Sequence, residues 1–192
     1  MIHPSKNIFD NTTITDIQLA SIYYKILIDL AKHKHCLTYG ELVERAKQEN
    51  PNHPAIQNAI PVSTGRRLNV VRLFTTDRNL LDLTCLVISK NLGECGTGFT
   101  DQFDPVLARE KAFAFDWSTV NEDFDGFVKH AEISIIPRKK VKEPQALELM
   151  AEYYKINKLN LPSSVREHRE LIVELIMAGF TPAEAFEQSM QK

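Results

Sequence analysis

The chain of 192 residues contains no apolar run near the roughly 18 residues that a membrane span requires. Its first residues, MIHPSKNIFDN, lack the long apolar stretch of a secretory signal, so a cytoplasmic protein with no membrane partner is expected. Cysteine is scarce. Cys36, Cys85 and Cys95 are an odd and unclustered set, which argues against a disulfide framework and for reduced thiols. His33-Lys34-His35-Cys36 offers nitrogen and sulfur ligands, but no second Cys/His pair lies at a useful spacing, so no metal is expected. The glycine turn GECGTGF lacks the lysine and the Ser/Thr of a phosphate-binding loop, and no cofactor is expected either. A dominant charge sign is missing too: 23 Lys+Arg stand against 25 Asp+Glu, a net charge of -2. That weighs against a protein coated in basic residues for indiscriminate nucleic-acid binding, while leaving room for a local basic face.

What is present has the composition of a globular domain, 43% apolar and 25% charged. In TDIQLASIYYKILIDLAKHKH, Thr15 and Gln18 fit a capping box, and Leu19, Ile22, Tyr23, Ile26, Leu27 and Leu30 recur at helical intervals. The spacing predicts an amphipathic helix to about Lys32. Thr38 and Glu41 form a second box ahead of Leu42, Val43 and Ala46, and Pro51 and Pro54 close that helix. STGRRLNVVRLFTTDRN reads as a third helix. LDLTCLVISK reads as a strand, the turn from Gly93 to Gly98 as a hairpin, and Ala112 to Asp116 as a second strand. Helix, helix, helix, strand, strand is the order of a winged helix.

The expected fold is therefore α+β: a winged-helix-like core over residues 1–136, with three helices and a β-hairpin. After Trp117, the stretch STVNEDFDGFVKHAEIS reads as a further helix of that domain. A basic linker follows over residues 137–144, and a helical extension over residues 145–192. The extension ends in a helical hairpin, with Gly179 stopping one helix and Thr181, Pro182 and Glu184 starting the next. That hairpin could pack on the core at Phe124, form a homodimer or hold a partner protein.

The stretch YKILIDLAKHKHCLTYGELVERAKQE resembles the winged-helix part of the alkylguanine-DNA alkyltransferase family. In that family the tyrosine of Thr-Tyr-Gly contacts the DNA backbone, which by likeness makes Tyr39 face DNA. An arginine of the next helix acts as the base-flipping wedge, a place that Arg66 or Arg67 would take. The family's reactive Pro-Cys-His-Arg motif is absent, so alkyl transfer is not expected. More broadly, the order TYGEL, LTCLVISK, GECGTGF and AFAFDW is similar to a group of small proteins of bacterial chromosomes, plasmids and prophages. That likeness implies a mobile-element setting and a regulatory or counter-defence role.

The expected function is non-catalytic nucleic-acid binding, with Arg66, Arg67 and Arg72 on phosphates and Tyr39 and the glycine turn alongside. For each residue a structural reading stands beside the functional one. Tyr39 can be a packed aromatic, and the arginines can be salt-bridged. The rival reading is a protein-interaction module that engages a bacterial host protein through an acidic surface or the terminal hairpin. An enzyme would need either a base beside Cys95 or carboxylates gathered from Asp101, Asp104 and Glu110 with Lys111.

Overall fold

Helix formation begins where Thr13 can cap it. In the computed structural model, which describes Phe9 and residues 11–120, 123–135 and 138–190, helix α1 spans Ile14–His33. The Thr13 hydroxyl accepts from the Asp16 amide, and an Asp16 oxygen accepts from the Thr13 amide, both at 3.0 Å. The capping box thus lies two residues ahead of Thr15 and Gln18. Leu19, Tyr23, Ile26, Leu27 and Leu30 are buried along one side, as their spacing requires. Of the segments singled out in the sequence, Asn121 and Glu122 of STVNEDFDGFVKHAEIS, Pro137 of the basic linker and all of MIHPSKNIFDN except Phe9 and Asn11 lie outside the described residues.

Strand β1 (Leu37–Thr38) leads directly into α2 (Tyr39–Glu49). Here the predicted box is formed: the Glu41 amide donates to Thr38 Oγ1 at 3.2 Å, and the Thr38 amide donates to Glu41 Oε2 at 2.7 Å. A short helix α3 (Pro54–Gln57) and a 3-10 turn at Pro61–Ser63 precede α4 (Thr64–Asp77). Helix α1 is the central element, packed by α4, by the later helix α7 (Phe124–Ser134) and by a 3-10 turn at Leu83–Leu86. Aromatic rings close the seam: Tyr24 stacks on Phe124 at 4.3 Å, and Phe74 meets Phe124 edge-on at 4.6 Å.

The expected α+β fold with a β-hairpin is not what forms. Among the described residues about 69% are helical and 2% are strand, in a two-stranded parallel sheet. Strand β1 pairs with β2 (Val87–Ile88), Leu37 opposite Val87 and Thr38 opposite Ile88. Parallel neighbours cannot be joined by a tight turn, so this pairing is no wing. Val87 and Ile88 keep part of LDLTCLVISK extended, but three local causes replace the rest of the predicted hairpin. Asp82 accepts from the Thr84 amide at 2.9 Å and winds the apolar run into a buried 3-10 turn. Gly93, at φ +65, folds the chain back on Ser89, and Thr97–Thr100 then forms the short helix α5. Asp104 caps Val106 and Leu107 with Pro105 at the first turn, so α6 (Pro105–Ala114) runs through most of the predicted second strand.

The chain divides into two compact units, Met1–Ile135 and Ile136–Lys192. The second is built from α8 (Glu143–Asn157), a 3-10 turn at Ser163–His168, α9 (Arg169–Met177) and α10 (Pro182–Met190). Helix α8 starts inside the stretch read as linker. Gly179 takes φ +95 after α9, and its α-carbon faces Lys139 so closely that a methyl group there would sit 2.7 Å from the Lys139 oxygen. Thr181 and Glu184 form the expected box ahead of α10. Phe180 and Phe186 are buried in this unit's own core with Ile172, Leu175 and Ile176.

Candidate functional site

The three arginines expected to meet phosphate are engaged within the fold. Arg67 is 1% exposed and pairs through Nε with Asp16 Oδ1 at 3.2 Å. It also donates to Ser63 Oγ, one helical turn earlier on its own side of the seam. Arg66 donates to the other Asp16 oxygen at 2.9 Å and to the Asn11 carbonyl at 2.7 Å. Asp16 therefore caps α1 with one face and ties α4 to it with two guanidiniums. A carboxylate so buried is stable only because both its oxygens are paired. Arg72 lies elsewhere on α4. It meets Asp82 Oδ2 at 2.7 Å and Thr84 Oγ1 at 3.0 Å, and its guanidinium stands 5.1 Å from the Phe99 ring centre.

Tyr39 packs in part against the core, its ring half-buried, and a β-carbon at Gly96 would come within 3.2 Å of its hydroxyl. Burial raises the Tyr39 phenol above its ordinary value, with the Cys95 thiol nearby adding to the shift. The glycine turn thus serves to bring the chain close over Tyr39.

Around this turn sits a second charged pair that sequence reasoning did not single out. Arg109 reaches both oxygens of Glu94, and its Nη2 lies 2.5 Å from Glu94 Oε2. Arg109 holds the Glu94 carboxyl down to about 2. Cys95 lies beneath, 2% exposed, its thiol donating to the Cys85 carbonyl at 3.3 Å. Burial pushes the Cys95 thiol up to about 12, so it stays protonated near neutral pH and is a poor nucleophile. Arg109 stands 3.9 Å from that sulfur, but its charge is already matched by Glu94.

Asp101, Asp104, Glu110 and Lys111 are all exposed, and Asp104 is occupied as the α6 cap. Among the described residues, no group of three or more His, Cys, Asp or Glu side chains is placed to hold a metal. A cavity of about 420 Å³ beside α4 and α7, lined by Leu73, Asp77, Phe127 and His130 among others, contains none of the predicted site residues.

The α5–α6 edge has the opposite character. Phe103, Val106 and Leu107 are 48%, 54% and 48% exposed. Val106 and Leu107 lie in the first turn of α6 and Phe103 just before its Asp104 cap, so three large apolar side chains are exposed close together where the helix starts. In the second unit, Ile156 and Leu159 at the end of α8 are exposed at 72% and 91%.

No family model, no curated protein and no solved structure matches the chain.

Proposed function

We propose that the protein is a non-catalytic recognition module whose partner is another protein. One contrast carries this reading: Arg66, Arg67 and Arg72 have carboxylate partners inside the fold, while large apolar side chains stand in water. Phosphate recognition needs cations whose charge is open to the ligand, because affinity comes from replacing counterions along the backbone. Arginines already paired with carboxylates supply little of that. Grouped exposed apolar side chains, by contrast, gain when a partner removes them from water. The likeness to plasmid and prophage proteins supports a bacterial host protein as the partner and a regulatory or counter-defence role.

Site-specific photocrosslinking in bacterial cells tests the proposal. A photoreactive residue replaces Val106 in one variant and Leu159 in another. A discrete protein adduct at either position is the expected result. Absence of protein adducts at both, together with tight, salt-sensitive binding to duplex DNA, would restore the nucleic-acid reading.

A further inference from the structure

We propose that the α5–α6 edge is the docking surface for a basic amphipathic helix of the partner, an inference that rests on the protein-recognition reading. Helix α6 turns Ala112 wholly inward and shows Val106 and Leu107 to solvent, with Phe103 in the turn ahead. Arg72 lies 5.8 Å from the Phe103 ring centre, and Phe99 leans on the same ring at 5.3 Å, so this phenylalanine is held from behind. Exposed Asp101, Asp104 and Glu110 flank these residues in the sequence, Asp104 also accepting from the Val106 and Leu107 amides. On α6 itself the single exposed cation is Lys111. The two neighbouring guanidiniums are matched, Arg72 by Asp82 and Arg109 by Glu94.

An apolar cluster flanked by carboxylates is complementary to a helix with an apolar stripe flanked by Lys and Arg. The same carboxylates repel phosphate. They also disfavour a second copy of this chain, since a two-fold contact through this edge would bring like carboxylates together.

The probe is a dye-labelled amphipathic helical peptide of leucine and lysine, with a leucine–glutamate peptide of the same pattern as its counterpart. Fluorescence anisotropy with the full chain is expected to show binding of the lysine peptide alone. Val106→Ser/Leu107→Ser is expected to weaken it about tenfold or more. Asp101→Asn/Glu110→Gln and added salt are expected to weaken it as well, because the flanking carboxylates act through charge. Ile156→Ser/Leu159→Ser should leave it unchanged. Circular dichroism confirms that each variant is folded. The inference is overturned if the lysine peptide does not bind, if both peptides bind equally, or if Val106→Ser/Leu107→Ser has no effect. A wild-type dimer in sedimentation that this variant dissolves would overturn it in favour of self-association. Crosslinks from Leu159 but not Val106 would sink this edge alone and leave protein recognition standing.

Discussion

At the α1–α4 seam, Asp16 and Arg67 are taken out of water and Arg66 nearly so, whereas at the α5–α6 edge Phe103, Val106 and Leu107 remain in it. Both arrangements invert the usual partition of charge to the surface and apolar groups to the core. They differ in what satisfies them. The seam is complete: each Asp16 oxygen has a guanidinium, and Arg66 reaches the Asn11 carbonyl in addition. The edge is incomplete: among the described residues of its own unit, none buries its outward side chains, which stay about half exposed. A basic motif in a sequence therefore says little about partners until its carboxylates are located, and an uncovered apolar cluster says more.

The comparison breaks most visibly at Asp16. Replacing Asp16 by Asn strands the buried Arg67 charge and is expected to lower unfolding free energy by roughly 3–5 kcal/mol, read by urea denaturation. Asp16→Leu/Arg67→Met should cost less than the sum of its two single changes, since removing both charges removes the stranded one. Additive losses would show that the two side chains act independently.

A smaller effect is expected at Glu94, where a surface-facing pair borders the edge. Its carboxyl lies at about 2 in the folded protein, below the ordinary 4.5, so the pair's stabilisation is full above about pH 4.5 and disappears as pH falls through about 2. Unfolding measured at about pH 5 and about pH 3 should show a steeper acid loss in the wild type than in Glu94→Gln. Equal slopes would mean that Arg109 does not hold the carboxylate in solution.

The smallest change is expected at the edge. Val106→Ser and Leu107→Ser should each alter stability by no more than about 0.5 kcal/mol, as surface substitutions generally do. A loss of several kcal/mol would show that these side chains are part of the core.

Much of the helical framework was legible. The stripe from Leu19 to Leu30, the Thr38–Glu41 box and the Gly179–Thr181 turn depend on residues three or four apart, and local spacing carries them. The cap of α1 was misplaced because TTITDIQ offers two hydroxyl-to-acid or hydroxyl-to-amide spacings, and Asp16 won by also meeting α4. The hairpin failed for a related reason, only Val87 and Ile88 of its first predicted strand being extended. LDLTCLVISK is apolar without alternation, a pattern shared by buried turns and strands, and Asp82 decided the matter. Ala112 to Asp116 reads as a strand, with Phe113 and Phe115 two apart, but Asp104 and Pro105 start a helix that reaches Ala114. The candidate site was least legible of all. Asp16 lies fifty residues from Arg66, and no local rule connects them. Read without that carboxylate, Gly65-Arg66-Arg67 looks like a grip for phosphate; with it, the pair is a clasp between two helices.

The most direct test of that claim is binding of duplex DNA across a salt series, by the wild type and by a folded Arg66→Gln/Arg72→Gln variant. Neither protein is expected to bind specifically at low salt, and the two should not differ. Tight wild-type binding that falls steeply with salt, with a shallower slope in the variant, would contradict it.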